Sequence, residues 1–317
     1  MKCLCCNKEI LESSSVYERK VKWHKKCIKR FFNIDTLPNM DLSNKSIEDY
    51  ATESIFQGAI VPGVQKKLAL HLSKDSRSLT VLENPSSYII KPQTKDYDNL
   101  PENEHLVMTL ADSLSIKTAP HALIMLEGQY VYITKRIDRI GPNNDKLAME
   151  DFCQLSQRLT EDKYRSSYEK CAKVIKEYSA MPISDLTEFF YRLIFCFVTG
   201  NSDMHLKNFS LLETFPSKRE FLLSPSYDLL SVKIVLPEDK EDFALTMNGK
   251  KTKIKREDFI KFGISIGLKE RVCINLIDKI VTSLPSMITI CEEADYIVDE
   301  LKEKLISLIS ERCKLLK

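Results

Sequence analysis

Positions 185–198 place Leu186, Phe189, Phe190, Leu193, Ile194, Phe197 and Val198 in a wide apolar stripe at helical spacing. The stripe stops at Gly200, and a polar run follows at once: Asn201-Ser202-Asp203-Met204-His205-Leu206-Lys207-Asn208. A stripe that wide belongs in a core. The chain must therefore build a packed helical body that presents this polar run at a helix end. Twenty positions beyond Asn208, after the apolar Phe221-Leu222-Leu223, comes Ser224-Pro225-Ser226-Tyr227-Asp228.

Polar Asn-Ser-Asp runs often do no more than cap turns, because their side chains bond locally to backbone. The ordered set points further. Phosphoryl transfer needs a carboxylate at the attacking hydroxyl, a divalent cation on the phosphates and rigid placement of both. Asp203 is suited to orient or deprotonate an acceptor hydroxyl, and Asn208 and Asp228 to bind Mg²⁺, a hard cation that prefers oxygen ligands. Lys207 would offset charge on the transferred group, and His205 would brace the loop rather than act as a base.

A chain of this chemistry must also hold ATP. Tyr88-Ile89-Ile90-Lys91-Pro92 reads as a buried strand ending in a lysine able to reach phosphates. Glu102-Asn103-Glu104 opens a helical pattern with Val107, Leu110, Ala111 and Leu114 on one face, which puts Glu104 within reach of Lys91. Such a Lys–Glu pair is a working part of kinases. Positions 121–126 and 130–135 flank Glu127-Gly128-Gln129 as a hairpin. Arg136-Ile137-Asp138-Arg139 then leads into a second lobe, with Ile137 as the candidate adenine hinge. The chain has eight glycines and lacks both G-x-G-x-x-G and G-x-x-x-x-G-K-[ST], so ordinary protein kinases, Rossmann enzymes and P-loop NTPases fit poorly. The nearest phosphate-loop candidate is 58–65, with Gly63 and Gln65 as cofactor-binding candidates; a plain turn explains it equally well.

These residues together resemble the HipA-like serine/threonine kinases of bacterial toxin-antitoxin modules over most of positions 55–317. Gly63-Val64-Gln65-Lys66-Lys67 is similar to the family's glycine-x-glutamine segment, Ile89-Ile90-Lys91-Pro92 to its ATP lysine, and Asn103-Glu104 to its helix glutamate. Arg136-Ile137-Asp138-Arg139 and Met149-Glu150-Asp151-Phe152-Cys153-Gln154 also look like family landmarks. The resemblance makes Asp203 the catalytic aspartate and Asn208 and Asp228 the Mg²⁺ ligands. It implies a two-lobed kinase-like fold and protein serine or threonine as acceptor, with aminoacyl-tRNA synthetases as targets of characterised members. It also implies a partner antitoxin that carries DNA binding. The family's regulatory serine positions fall here at Ile60 and Pro62, which accept no phosphate, and Ser54 is a poor substitute. Control by autophosphorylation of that loop is therefore not expected.

Full-length family members carry an additional small domain at the amino terminus, where this chain has a cysteine-rich start instead. A separate small protein supplying that domain is a further expected partner. Cys3-x-x-Cys6 and His24-x-x-Cys27, with seventeen residues (7–23) between the pairs, form a Cys₃His set of zinc-ribbon-like spacing. Cys5 is a spare thiol or alternative ligand, and the remaining six of ten cysteines are scattered singly. A filled tetrahedral site is structural, since no position is left for water. The basic run Arg19, Lys20, Lys22, Lys25, Lys26, Lys29 and Arg30 is more often solvated surface than a phosphate-binding patch. With 47 basic against 45 acidic residues the chain has no charge excess for direct DNA binding.

At 317 residues, 43% hydrophobic and 29% charged, the chain can bury a sizeable core in two lobes. No export signal or membrane segment is read, which with unpaired cysteines suggests a bacterial cytoplasmic protein. The expected architecture is α+β: a zinc-ribbon-like module at 1–35, a β-rich ATP-binding lobe at 45–139 and a helical catalytic lobe at 140–317. The expected activity is Mg²⁺/ATP-dependent serine/threonine kinase. The alternatives are a small-molecule or lipid kinase on the same scaffold, or a silent pseudokinase that binds an antitoxin or nucleic acid.

Overall fold

A computed structural model of the chain describes residues 1–41, 67–73, 75, 77–80, 86–141 and 144–317. They divide into two compact units, one of Met1–Thr109, Ala119–Asn144 and Glu293–Val298, the other of Leu110–Thr118, Asp145–Glu292 and Asp299–Lys317.

The first unit is built on a six-stranded sheet of β1 (Asn39–Asp41), β2 (Leu68–Leu72), β3 (Ser78–Thr80), β4 (Tyr88–Lys91), β5 (His121–Leu126) and β6 (Gln129–Lys135), in the order β1-β3-β2-β4-β6-β5. The β5–β6 hairpin forms because Glu127 and Gly128 both take positive φ, 49° and 81°, the twist that a two-residue turn between right-twisted strands requires. Register across the sheet pairs Leu123 with Tyr132 and Tyr132 with Lys91. Helix α3 (Leu100–Ser113) buries Leu106, Val107, Leu110 and Ala111.

The amino-terminal segment belongs to this unit and shares its core. Its helices are α1 (Val16–Val21), started by a Ser15–Glu18 capping box, and α2 (Lys25–Phe32). So in the spacing of ribbon type, Cys3 and Cys6 lie in the turn that the Lys2–Glu9 bridge closes, and His24 and Cys27 lie at the start of α2. Trp23 is fully buried, its ring 5.6 Å from Phe31 and 5.7 Å from Phe32, and Phe32 lies 5.3 Å from Tyr88 of β4. Each such ring contributes about 1.5–3 kcal/mol of apolar burial. The segment therefore has a hydrophobic core of its own to share, in addition to any metal.

The second unit is mainly helical: α4 (Tyr168–Tyr178), α5 (Pro182–Thr199), α6 (Arg256–Ser265), α7 (Glu270–Thr282), α8 (Leu284–Glu293) and α9 (Asp299–Leu315). A three-stranded antiparallel sheet of β7 (Met149–Asp151), β8 (Ser210–Glu213) and β9 (Phe221–Leu223), in the order β9-β8-β7, completes it. Helix α5 is buried from Phe189 to Thr199, and Phe189 packs 5.0 Å from Phe209, just past the polar run. Arg192, which interrupts the apolar stripe, is buried too. Its Nε donates to Glu188 at 2.9 Å and its Nη1 to the Ser224 carbonyl at 2.8 Å, so it ties α5 to the segment that carries Asp228. Among the described residues the run Glu270–Glu293 is long and apolar enough for a membrane span. It comprises α7 and α8, which meet at Ser283 and bury Cys273, Ile277, Ile280, Met287 and Cys291 in the unit.

Gly200 ends α5 at φ 68°, and a Cβ there would lie 2.5 Å from Leu308 Cδ2 and 2.9 Å from Lys233 Cγ. Gly200→Ala is expected to cost about 2–5 kcal/mol, from left-handed strain and overpacking together. A urea midpoint within experimental error of the parent would show that α9 and Lys233 yield freely.

Candidate active site

In the first unit, β4 delivers Lys91 and the first turns of α3 deliver Glu104. Lys91 Nζ donates to both carboxylate oxygens, at 2.6 and 2.8 Å, and the two side chains are 5% and 2% exposed. The ammonium also stands 5.3 Å from the Tyr132 ring centroid. A buried ion pair gives little net stability, because desolvation of both charges offsets their attraction. Beside the Lys91–Glu104 pair, burial pushes the Glu102 carboxyl up, opposed by hydrogen bonds from the Gln93 amide at 2.8 Å.

Ile137 sits half-buried in the turn after β6, and its neighbours fix that turn. Arg136 donates to both Asp138 oxygens at 2.9 and 2.8 Å and to Ser86 at 3.0 Å. Burial pushes Asp138 up, but the Arg136 hydrogen bond and the charges of Arg136 and Arg139 hold it below the usual carboxylate range. Gly63 and Gln65, with Ser54, Ile60 and Pro62, lie outside the described residues.

The second unit carries the polar run as a braced loop. Asn208 donates through Nδ2 to the Asp203 carbonyl at 2.9 Å, which leaves its Oδ1 as the side chain's acceptor. Asn201 joins the two acidic positions: its Oδ1 accepts from the Asp203 amide at 3.3 Å, and its Nδ2 donates to the Asp228 carbonyl at 3.4 Å. Asp228 takes φ 60°, a left-handed conformation uncommon for a residue with a Cβ. The phenols of Tyr227 and Ser210's hydroxyl bond each other, and burial pushes the Tyr227 phenol well up.

Two neighbours of the loop, Tyr164 and Asp151, are not evident from local spacing. Tyr164 donates to Asp203 Oδ1 at 2.7 Å and meets the His205 ring edge-on at 5.0 Å. Burial and then the Asp203 bond raise its phenol far above the usual value, so it stays a donor. Lys207 Nζ donates to Asp151 at 2.7 Å, which engages the lysine in an ion pair. Asp151 is itself the N-cap of a short helical turn, Phe152–Leu155, in a capping box with Gln154. His205 is buried, its ring edge-on to Tyr164. Tyr164→Phe is expected to slow turnover several-fold, as loss of about 1 kcal/mol of positioning hydrogen bond implies. An unchanged rate would leave the phenol without a part in holding Asp203.

Near the amino terminus Cys3, Cys6, His24 and Cys27 come together, their donor atoms all within 4.8 Å of one another. Cys5 is outside that set, although its thiol interacts with Cys27, and it accepts a long contact from Arg30 Nη2 at 3.9 Å.

A sheet-based unit and a mainly helical unit are the elements of a kinase-like fold. The chain belongs to the HipA-like C-terminal domain family, which matches residues 59–288. A Haemophilus influenzae protein provisionally named a kinase is 29% identical over 247 residues, 69% of this chain and 70% of that one. A Sinorhizobium fredii protein, provisionally named kinase Y4mE, is 30% identical over 230 residues, 68% of this chain but 54% of its own length. Among solved structures, Shewanella oneidensis HipA, in a complex of HipA, HipB and operator DNA, superposes with TM-score 0.71 at 19% identity, over 85% of this chain and 70% of that one. The Helicobacter pylori proinflammatory kinase CtkA superposes with TM-score 0.57 at 17% identity, over 81% of this chain and 91% of that one.

Proposed function

We propose that this protein is a Mg²⁺/ATP-dependent serine/threonine protein kinase and the toxin of a bacterial toxin-antitoxin pair. The observation that carries the reading is Asn201, whose single amide links the backbones of Asp203 and Asp228 in a loop that Asn208 also braces. The Asn208 amide oxygen and the Asp228 carboxylate are ligand types that suit a hard divalent cation. Asn208 and Asp228 would hold Mg²⁺, and Lys91, kept in place by Glu104, would meet ATP phosphates. Bound Mg-ATP supplies the phosphoryl group and neutralises its charge. Asp203 orients the acceptor hydroxyl and takes its proton; Tyr164 sets the angle of its carboxylate, and Asp151 sets Lys207.

The acceptor we favour is a translation-related protein such as an aminoacyl-tRNA synthetase, with an antitoxin as partner. The HipB-bound state of the Shewanella neighbour supports the partner, and the balance of 47 basic and 45 acidic residues supports DNA contact only through it. The test is incubation with Mg²⁺ and γ-labelled ATP in a dephosphorylated bacterial extract, beside an Asp203→Ala control. A discrete labelled protein made only by the parent enzyme is expected. Label confined to lipid or sugar acceptors would move the activity to a small-molecule kinase, and ATP binding without transfer would make it a pseudokinase.

A further inference from the structure

The geometry points to a closed structural zinc site at Cys3, Cys6, His24 and Cys27 that fastens the amino-terminal segment to the strand edge in register with Lys91. Its bearing on ATP rests on the kinase reading above; the metal and the clamp do not.

The donor set fits the metal. With Zn–S near 2.3 Å and Zn–N near 2.0–2.1 Å, tetrahedral angles put a sulfur and a nitrogen ligand about 3.6 Å apart. His24 Nδ1 lies 3.4 Å from Cys6 Sγ and 3.9 Å from Cys27 Sγ, on either side of that value. The other ring nitrogen, Nε2, faces the Glu9 carbonyl at 3.1 Å. A carbonyl only accepts, so Nε2 bears the proton and Nδ1 offers its lone pair, an arrangement typical of metal-bound histidine. The His24 amide donates to Cys3 Sγ at 3.4 Å, as amides do to metal thiolates. His24 stands at the N-cap position of α2 and Cys27 lies in its first turn, so one helix start fixes both donors. Cys3 and Cys27 are 0% and 2% exposed, which suits a structural rather than a catalytic centre.

The residues next to the ligands make the clamp. Strand β5 is one of the two outer strands of the six, and a bare edge strand presents unpaired backbone groups. Leu4, beside Cys3, accepts from the Leu123 amide at 2.8 Å. Trp23, beside His24, donates through Nε1 to the Leu123 carbonyl at 3.0 Å. Leu123 thus gives both backbone groups to the segment the metal would close. It pairs with Tyr132, and Tyr132 pairs with Lys91. Lys22 adds a 2.9 Å bond to Tyr130 on β6. Loss of the metal would loosen Leu4 and Trp23 together, and with them the edge that keeps Tyr132 against Lys91.

Trp23 is the chain's single tryptophan, so its emission reports on the clamp directly. Protein purified without added metal should contain about one zinc per chain, as a filled four-ligand site requires. Stripping it with a chelator should shift Trp23 emission to the red and raise Leu123 amide exchange by about tenfold or more, a local opening that added zinc reverses. Cys6→Ser should lower zinc affinity; if that variant does not fold, chelation of the unmutated chain decides alone. Metal-free protein with buried Trp23 emission and a protected Leu123 amide would overturn the site. Bound zinc whose removal leaves both readouts unchanged would overturn the clamp. ATP affinity measured in the same samples should fall with the metal. If the loaded protein binds no ATP at all, the kinase reading fails while zinc content and Leu123 exchange still judge the clamp.

Discussion

Asp203→Ala is expected to lower phosphoryl transfer about 10²- to 10⁴-fold, the range for a positioned acid-base group, with the melting transition little changed. The fold should survive because both loop-bracing bonds at this position use backbone: Asn208 holds the Asp203 carbonyl and Asn201 holds its amide. Asp203→Asn sharpens the test. It keeps an oxygen for the Tyr164 hydroxyl, which now reaches Oδ1 at 2.7 Å, but loses the basic charge. If the carboxylate acts as base, the asparagine variant should be nearly as slow as the alanine variant. If Asp203 acts only by orienting the hydroxyl, Asn should recover much of the rate. Near-parental turnover by both, measured by single-turnover label transfer, would remove Asp203 from the chemistry.

What could be read from the sequence was whatever depends on near neighbours. The hairpin over 121–135 is legible because Glu127-Gly128 is a turn signal between apolar runs, and helix α5 because its stripe repeats at 3.6 residues. Lys91 and Glu104, thirteen positions apart, could be paired because a strand end and a helix start bracket them. Long-range side-chain pairs left no such trace. Tyr164 reaches Asp203 across 39 positions and Lys207 reaches Asp151 across 56, and nothing periodic marks either. Arg192 reads as a break in an apolar helix, yet its charge is matched by Glu188 one turn back and by a carbonyl 32 positions ahead. Likewise the grouping of Cys3, Cys6, His24 and Cys27 is legible from spacing alone, whereas the use of their neighbours is not. Leu4 and Trp23 bond a strand about 100 residues away, and only the folded chain brings that edge to them.

Lys91→Met is expected to damage stability and ATP binding by separable routes. Removing the ammonium leaves Glu104 buried at about 2% exposure without its charge partner, a loss of about 3–5 kcal/mol for a broken buried pair. ATP affinity should fall as well, by about tenfold to a hundredfold for one lost charged hydrogen bond of 1.5–3 kcal/mol. The second substitution Glu104→Gln separates the two effects. In Lys91→Met/Glu104→Gln no buried charge remains and the stem volume is largely kept, so most of the stability should return. ATP affinity should stay low, since no cation is left to meet phosphate. The cycle of two single variants and the double then gives a coupling energy in stability and almost none in ATP binding beyond the Lys91 term. If the double variant regains ATP affinity with its stability, the pair serves the fold alone, and the phosphate-binding role must belong to another residue of the first unit.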